Sequence, residues 1–122
     1  MSSDQRSPDW ARPVVYFSIE ARDAEAQRAF YRELFNWGIG DGPIMQISTG
    51  PGAPEAGITG HINAGGTPRV SIYVQVRDMR ATLARAVELG GSVVFEPYQI
   101  PGAAMIATIT DPEGNTVGIV QQ

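Results

Sequence analysis

Residues 14–36, VVYFSIEARDAEAQRAFYRELFN, recur 55 positions later as residues 69–91, RVSIYVQVRDMRATLARAVELGG, and this repeat decides the fold. Seven of the 23 aligned pairs are identical, whereas average residue usage would give roughly one or two. Each copy begins with β-branched and aromatic residues typical of a strand and continues, after an Arg-Asp step, at helical spacing. A duplicated strand–helix unit in so short a chain predicts two half-modules facing one cleft, which is a common place for a ligand.

The Arg-Asp step also predicts where each helix begins. Asp23 and Asp78 are good N-cap residues, since a carboxylate accepts a hydrogen bond from an otherwise unpaired backbone N–H. The first helix is expected to run to Phe35 and to be stopped by Gly38 and Gly40, and the second to run to Leu89 and to be stopped by Gly90-Gly91, because glycine commonly follows a helix.

The remaining pattern completes each half with further strands. We predict strands over residues 44–48, 56–62, 93–95, 103–110 and 116–120, and loops over 49–55, 63–68 and 97–101. This order favours an α+β fold with antiparallel pairing. The sequence therefore predicts one domain over residues 13–122, made of two tandem βαβββ half-modules (13–63 and 69–122). Their paired curved sheets, mixed or antiparallel, would surround the cleft, and residues 1–12 would form a flexible N-terminal arm.

Composition excludes several classes of function. The 122 residues carry a formal charge of −4 and a pI near 4.8, which argues against a nucleic-acid or anionic-membrane partner. The chain has no cysteine, which excludes disulfides, thiolate metal sites and cysteine nucleophiles, and His61 is its single histidine. No apolar run approaches roughly 18 residues and no signal-peptide core precedes the domain, so we expect a cytoplasmic protein.

Polar and aromatic residues share one face of each copy's strand. Tyr16, Ser18 and Glu20 alternate with apolar residues in the first copy, as do Ser71, Tyr73 and Gln75 in the second. The opposite, apolar face is expected to pack under the helices, and its residues are Val15, Phe17, Ile19, Val70, Ile72 and Val74. The polar face either lines a ligand cavity or is an ordinary solvated sheet face.

Two titratable residues remain open to more than one interpretation. His61 is either a hydrogen-bonded structural residue or an acid or base near neutral pH. Glu20 is either an exposed carboxylate at a strand end, a base, or a binding group for a cationic ligand.

Three stretches carry a family resemblance: FYRELFNW (30–37), GITGHI (57–62) and DPEGNTVGIVQ (111–121). With these motifs the chain resembles the vicinal oxygen chelate superfamily, the glyoxalase/bleomycin-resistance/dioxygenase group, and especially its small bacterial glyoxalase-like branch. The resemblance covers most of residues 13–122 and implies the paired βαβββ fold and a homodimer. It does not imply one reaction, because the superfamily spans isomerases, dioxygenases, epimerases, thiol transferases and non-catalytic antibiotic-binding proteins.

The resemblance also implies metal ligands on the first and last strands of each half. Carried over, these positions fall on Tyr16 and Ser71, on Gly118, and on Gly57 or Gly60. Divalent metals prefer carboxylate, carbonyl or imidazole ligands, which this set does not supply. We therefore expect neither a metal nor another cofactor.

The leading hypothesis is metal-independent binding of a small molecule in the cleft, with antibiotic sequestration as the family precedent. The alternative is a lyase or isomerase that uses His61 or Glu20 as acid or base and Tyr16 as acid, with an unconventional Glu20–His61 metal site as a further possibility. The candidate ligand-binding residues are Tyr16, Ser18, Glu20, Met45, His61, Ser71, Tyr73, Gln75, Met105, Ile109 and Gly118.

Overall fold

The computed structural model describes residues 10–50 and 57–121, which form an α+β fold of two helices and one open eight-stranded sheet. The strand order across the sheet is β2-β3-β4-β1-β5-β8-β7-β6. The elements in chain order are β1 (Val14–Ala21), α1 (Ala24–Phe35), β2 (Gly38–Ile39), β3 (Ile44–Ser48), β4 (Thr59–Ala64), β5 (Arg69–Val76), α2 (Met79–Glu88), β6 (Ser92–Gln99), β7 (Met105–Thr110) and β8 (Thr116–Gln121).

The two repeated strands lie side by side at the centre of the sheet. β1 and β5 pair antiparallel, with Phe17 opposite Ile72, its partner in the 55-residue repeat. β1 also pairs parallel with β4, and β5 pairs parallel with β8. Because β1 and β5 hydrogen-bond to each other, the described strands form a single continuous sheet instead of the predicted pair.

Both predicted helix starts are confirmed. The Asp23 side chain accepts a hydrogen bond from the Ala26 backbone N–H, and that of Asp78 accepts one from Ala81 N–H, each at 3.0 Å. α1 ends at Phe35 as predicted, but the residue that stops it is Asn36 and not Gly38. Asn36 has a left-handed φ of 59°, an angle that Asn tolerates better than most residues.

The strand β2 begins directly afterwards, at Gly38, and the sequence pattern did not reveal it. The β4 strand begins and ends later than predicted, and so takes in two of the residues expected in the 63–68 loop. Residue 56 and residues 51–55 of the predicted 49–55 loop lie outside the described residues, as do residues 1–9 of the predicted arm.

The last strands also differ from the prediction. β6 continues through Pro97 instead of stopping at Phe95, which proline permits because β6 is at the edge of the sheet. The pairing of β6 with β7 shifts between Phe95 and Tyr98, around that proline. β8 returns antiparallel to β7 as predicted, while β7 itself begins at Met105 and not at residue 103.

Two hydrophobic clusters fill the space between the sheet and its helices. On the α1 side Trp37 stacks on Tyr31 with ring centroids 5.1 Å apart and packs against the first cluster. The first cluster contains Ile19, Ala21, Ile39, Met45, Ile47 and Ile62, and the second contains Val76, Met79, Leu83, Ala107 and Ile119. Successive residues of a strand point to opposite faces of the sheet. The residues next to these core positions therefore point to the face that lies away from the helices.

The helices do not cover the whole of their own face. Val74 packs against the second cluster as predicted, whereas Val70 and Ile72 are 66% and 43% exposed. The prediction that these two pack under a helix is wrong, because α1 contacts β1, β2 and β4 while α2 contacts β6, β7 and β8. Over residues 10–50 and 57–121, no helix has the length and apolar character needed to cross a bilayer.

Candidate functional site

A concave cavity of about 770 Å³ lies on the sheet face that carries Tyr16. We call it the aromatic cavity, because three tyrosines and a histidine stand on its wall. Residues from β1, β3, β4 and β5 meet there with residues from β6 to β8, and they include Tyr16, Gln46, His61, Asn63, Tyr73 and Tyr98.

A smaller cavity of about 360 Å³ lies beside it, and we call it the polar cavity. Asn63 and Tyr73 line both cavities, so the two adjoin. The polar cavity is lined mainly by hydroxyl groups and one ion pair, contributed by Ser18, Glu20, Arg69, Ser71, Thr108 and Thr116.

A hydrogen bond on the wall of the aromatic cavity joins Tyr16 to His61. The Tyr16 hydroxyl lies 2.8 Å from His61 Nδ1, and the two rings are tilted with centroids 5.4 Å apart. The Tyr73 ring meets Tyr16 edge-on, also at 5.4 Å. Edge-to-face aromatic pairs of this kind are favourable, so three rings form one packed wall.

Strand pairing explains why these residues meet. β4 lies parallel to β1 with His61 opposite Ser18, which brings the His61 ring beside Tyr16 on the same face. Asn63 follows two positions later on β4 and so points to the same side. His61 Nε2 lies 3.1 Å from Asn63 Oδ1, and Asn63 Nδ2 donates to the Ala64 carbonyl at 3.1 Å.

Burial shifts the pKa of both bonded groups toward their neutral forms. Desolvation lowers the pKa of His61 below its ordinary value, and its hydrogen bond with Asn63 only partly opposes this. Desolvation likewise raises the pKa of Tyr16, a hydrogen bond with the Gln46 side chain opposes this rise, and the nearby Tyr73 adds to it. Near neutral pH the pair is therefore an uncharged imidazole and an uncharged phenol.

Glu20 belongs to the polar cavity. It stands opposite Arg69 in the β1–β5 register and forms an ion pair with it at 3.3 Å. Its carboxylate also lies against Gly65, where a larger residue would collide with it. Glu20 and His61 therefore line different cavities, and the structure does not bring them together as a two-residue site.

The other sequence-predicted binding residues divide between the cavities and the core. Ser18, Ser71 and Gly118 line the polar cavity, and the Ser71 hydroxyl bonds with Thr116 at 3.2 Å. Gln75 lies on the wall of neither cavity.

Three of the predicted apolar wall residues lie on the helix side instead. Met45 is buried in the first cluster, and Met105 and Ile109 pack against the second, so their placement in the pocket is wrong. Alternation gives the reason: the side chains one position away, including Ile44 and Ile106, line the aromatic cavity.

Gln46 and Asn63 line the aromatic cavity but were not among the residues predicted from the sequence. Both are polar residues on short strands, and alternation alone would have placed them once one neighbour was assigned. Gln46 pairs with His61 across β3 and β4, and Asn63 is two residues beyond it. Asn63 was not recognised because the predicted strand stopped at residue 62, which placed Asn63 in a loop.

The strand register also corrects one of the metal-ligand positions that the family resemblance implied. Gly118 lies opposite Tyr73 on β5, and Ser18, the repeat partner of Tyr73, lies opposite His61 on β1. The first-half counterpart of Gly118 is therefore His61, not Gly57 or Gly60.

Even with His61, these positions do not fit a divalent metal. Both His61 nitrogens have hydrogen-bond partners, the Ser71 hydroxyl has another, and the Tyr73 ring occupies the space that a side chain at Gly118 would need. Within residues 10–50 and 57–121, no three His, Cys, Asp or Glu side chains group as metal ligands.

The fold is shared with solved structures of the glyoxalase group. A superfamily member of the glyoxalase/bleomycin resistance protein/dioxygenase group from Vibrio splendidus has the same fold, with a TM-score of 0.66 at 13% identity over 92% of this chain and 100% of that chain. The model of the glyoxalase-like domain family matches residues 16–120. The chain therefore belongs to the glyoxalase-like domain family.

Curated relatives extend the comparison. The chain is 30% identical over 135 residues to the proposed glyoxylase CFP32 of Mycobacterium tuberculosis, covering 96% of this chain and 46% of that protein. It is 38% identical over 85 residues to the anthracycline biosynthesis protein DnrV of Streptomyces peucetius, covering 70% of this chain and 27% of that protein. The chain thus spans less than half the length of these relatives.

Proposed function

We propose that this protein binds a small molecule in the aromatic cavity without using a metal. The observation that carries the proposal is the convergence of Tyr16, Tyr73 and His61 on one concave wall of suitable size. Ligand sites are typically cavities of roughly 300–1,000 Å³ with apolar and aromatic walls and a few placed polar groups. Gln46 and the Tyr16 hydroxyl group would supply those polar groups.

We further propose that this cavity is a cleft between two half-modules. The pairing of Phe17 with Ile72 supports a two-fold relation, because repeat partners face each other only at the axis of such a relation. The parallel pairing of each repeated strand with the last strand of its own half supports the same relation. The ligand would then contact both halves, Tyr16 from the first and Tyr73 from the second.

The metal-independent part of the proposal rests on the chemistry of the donor set. A phenol that is hydrogen-bonded to the one available imidazole, a serine and a glycine do not make a divalent-metal site. Aromatic contact and hydrogen bonding would instead supply the affinity. The anthracycline biosynthesis protein among the relatives supports an aromatic ligand, which would suit these walls.

Binding of 7-methoxycoumarin, a neutral bicyclic probe, tests the proposal. We expect saturable binding to the wild-type protein. Tyr16→Ala or Tyr73→Ala removes one aromatic wall, which should cost about 1–3 kcal/mol, or a roughly 5- to 150-fold higher dissociation constant. Phe30→Ala is the matched control, since Phe30 is an exposed aromatic residue on α1. Absence of saturable binding, or equal affinity in all four proteins, would refute the proposal.

A second candidate function is acid–base catalysis of the lyase or isomerase type. The 2.8 Å contact between Tyr16 and His61 favours it, because a phenol and an imidazole in hydrogen-bond contact can pass a proton. His61 is the better base of the two considered, since Glu20 is paired with Arg69 in the other cavity. Turnover of a bound compound that is lost in His61→Gln while affinity is kept would establish this function.

A further inference from the structure

The hydrogen bonds around His61 have a defined direction. A backbone carbonyl only accepts, so the Asn63 amide must turn its Nδ2 group toward Ala64 O. Asn63 Oδ1 then faces His61, and His61 Nε2 must carry the proton that it donates to that oxygen. In the neutral ring Nδ1 is consequently unprotonated and accepts the Tyr16 hydroxyl proton.

This direction determines what Tyr16 offers to a ligand. Its single proton is committed to His61, and the Gln46 side chain donates to the same oxygen, so what the phenolic oxygen still offers to the aromatic cavity is lone-pair density. A ligand group that contacts this oxygen must therefore be a hydrogen-bond donor. Among the described residues, the titratable groups on the cavity wall are Tyr16, His61, Tyr73 and Tyr98, and no carboxylate or ammonium group stands among them.

We propose that Tyr16, His61 and Asn63 form a proton-accepting relay, and that the ligands of this cavity are molecules with an acidic hydroxyl group, such as phenols and enols. The inference rests on the proposed function, since it requires a ligand in the aromatic cavity. Tyr16 would contact the ligand directly, while Asn63 would act as a positioning residue by fixing the tautomer of His61.

The proton transfer balances without any other reactant. The ligand O–H bond breaks as its proton bonds to the Tyr16 oxygen, and the phenolic O–H bond breaks as that proton moves to His61 Nδ1. The ligand remains as an anion beside an imidazolium ion, whose Nε2–H still donates to Asn63 Oδ1. The anion and the imidazolium neutralise each other within a wall that has no other full charge among its described residues.

Ionisation of bound 7-hydroxycoumarin tests the relay, because the phenol and the phenolate of this probe absorb at different wavelengths. We expect the pKa of the probe bound to the wild-type protein to lie at least about one unit below its pKa when bound to His61→Gln, since an adjacent cation favours an anion. Tyr16→Phe should raise the bound-probe pKa in the same way, because it removes the atom that connects the ligand to His61.

Variants of Asn63 distinguish a role in the relay from a purely structural role, because only the former should change the pKa of the bound probe. Asn63→Asp places a carboxylate against Nε2 and stabilises the imidazolium, so the bound-probe pKa should fall below the wild-type value. Asn63→Leu should raise it. Asn36→Asp is the control for added charge, because Asn36 caps α1 on the other side of the sheet.

The two coumarins separate failure of the relay from failure of binding. If 7-methoxycoumarin binds but the bound 7-hydroxycoumarin ionises with the same pKa in the wild type and in His61→Gln, the relay is wrong and the binding function stands. If neither probe binds saturably, both proposals are wrong. An Asn63→Asp variant that behaves like Asn36→Asp would overturn the role assigned to Asn63.

Discussion

His61 is the residue whose surroundings most determine the chemistry of the aromatic cavity. Burial lowers its pKa, so the folded protein holds it neutral under conditions where an unfolded chain would protonate it. Because the unfolded chain then binds more protons, stability rises with pH between the folded-state pKa and the ordinary histidine value of about 6.5. Above that value both states are neutral and this contribution is constant.

We therefore expect the free energy of unfolding to fall as the pH is lowered from about 7 through the lowered pKa of His61. Urea titrations of the wild type and of His61→Gln at several pH values in this range would measure the effect. Glutamine keeps hydrogen-bonding capacity but does not titrate, so the variant should show a smaller slope. Equal slopes in the two proteins would contradict the neutral, buried state of His61.

The sequence pattern identified some residues of the aromatic cavity and not others, and the reason is geometric. Tyr16 and Tyr73 were found because alternation along a long strand fixes which residues share a face. Met45 was misplaced and Gln46 missed because β3 is short and its apolar residues could not show which face would meet the helix. The Tyr16–His61 contact depends on the parallel pairing of β1 with β4, which no local pattern encodes.

The two helices begin in the same way. Asp23 and Asp78 each cap a backbone N–H three residues on, and the identities at Ala26 and Ala81 belong to this shared start. An N-cap satisfies a donor that the first turn of a helix leaves unpaired. The helices differ in burial, since no residue of α1 is fully buried whereas α2 buries Met79 and Leu83.

Removing either cap should destabilise the protein by about 1 kcal/mol, within the usual range of roughly 0.5–2 kcal/mol for such changes. Asp23→Ala and Asp78→Ala, compared by urea unfolding, would test this. Asp41→Ala is the control, because Asp41 is an exposed aspartate that caps neither helix. Midpoints that move no further in the cap variants than in the control would show that the caps contribute little.

The elements that sequence analysis misjudged are those with weak local signals. β2 is only two residues long, and β6 continues through Pro97, which normally argues against a strand. The caps and the long central strands were predictable because their signals are local. An edge strand such as β6 depends instead on the neighbour that it pairs with, and that neighbour is about ten residues away in the chain.

For the whole molecule, the repeat predicted the α+β architecture and the two equivalent helices, but not that β1 and β5 join into one sheet. The number of sheets depends on hydrogen bonds between strands 55 residues apart in sequence. The same arrangement has a consequence for assembly. With α1 and α2 on opposite halves of the sheet, the apolar residues Val70 and Ile72 on β5 are left exposed between them.

We propose that a second copy of the chain covers this exposed part of β5 in a symmetric homodimer. Exposed apolar side chains gain about 25 cal/mol for each Å² that an interface removes from water, and homodimers usually pair identical patches. Light scattering at micromolar concentration should give twice the chain mass of 13.1 kDa. Ile72→Asp should convert the protein to a monomer, because it would place a carboxylate from each copy in the interface.

Val94→Asp is the matched control, since Val94 has the same 43% exposure as Ile72 but lies on the edge strand β6. That variant should remain dimeric, and circular dichroism should show both variants folded. A wild-type protein that scatters as a monomer would refute the dimer. A dimer that survives Ile72→Asp but is lost in Val94→Asp would place the interface at the edge of the sheet, where β6 could pair with its counterpart.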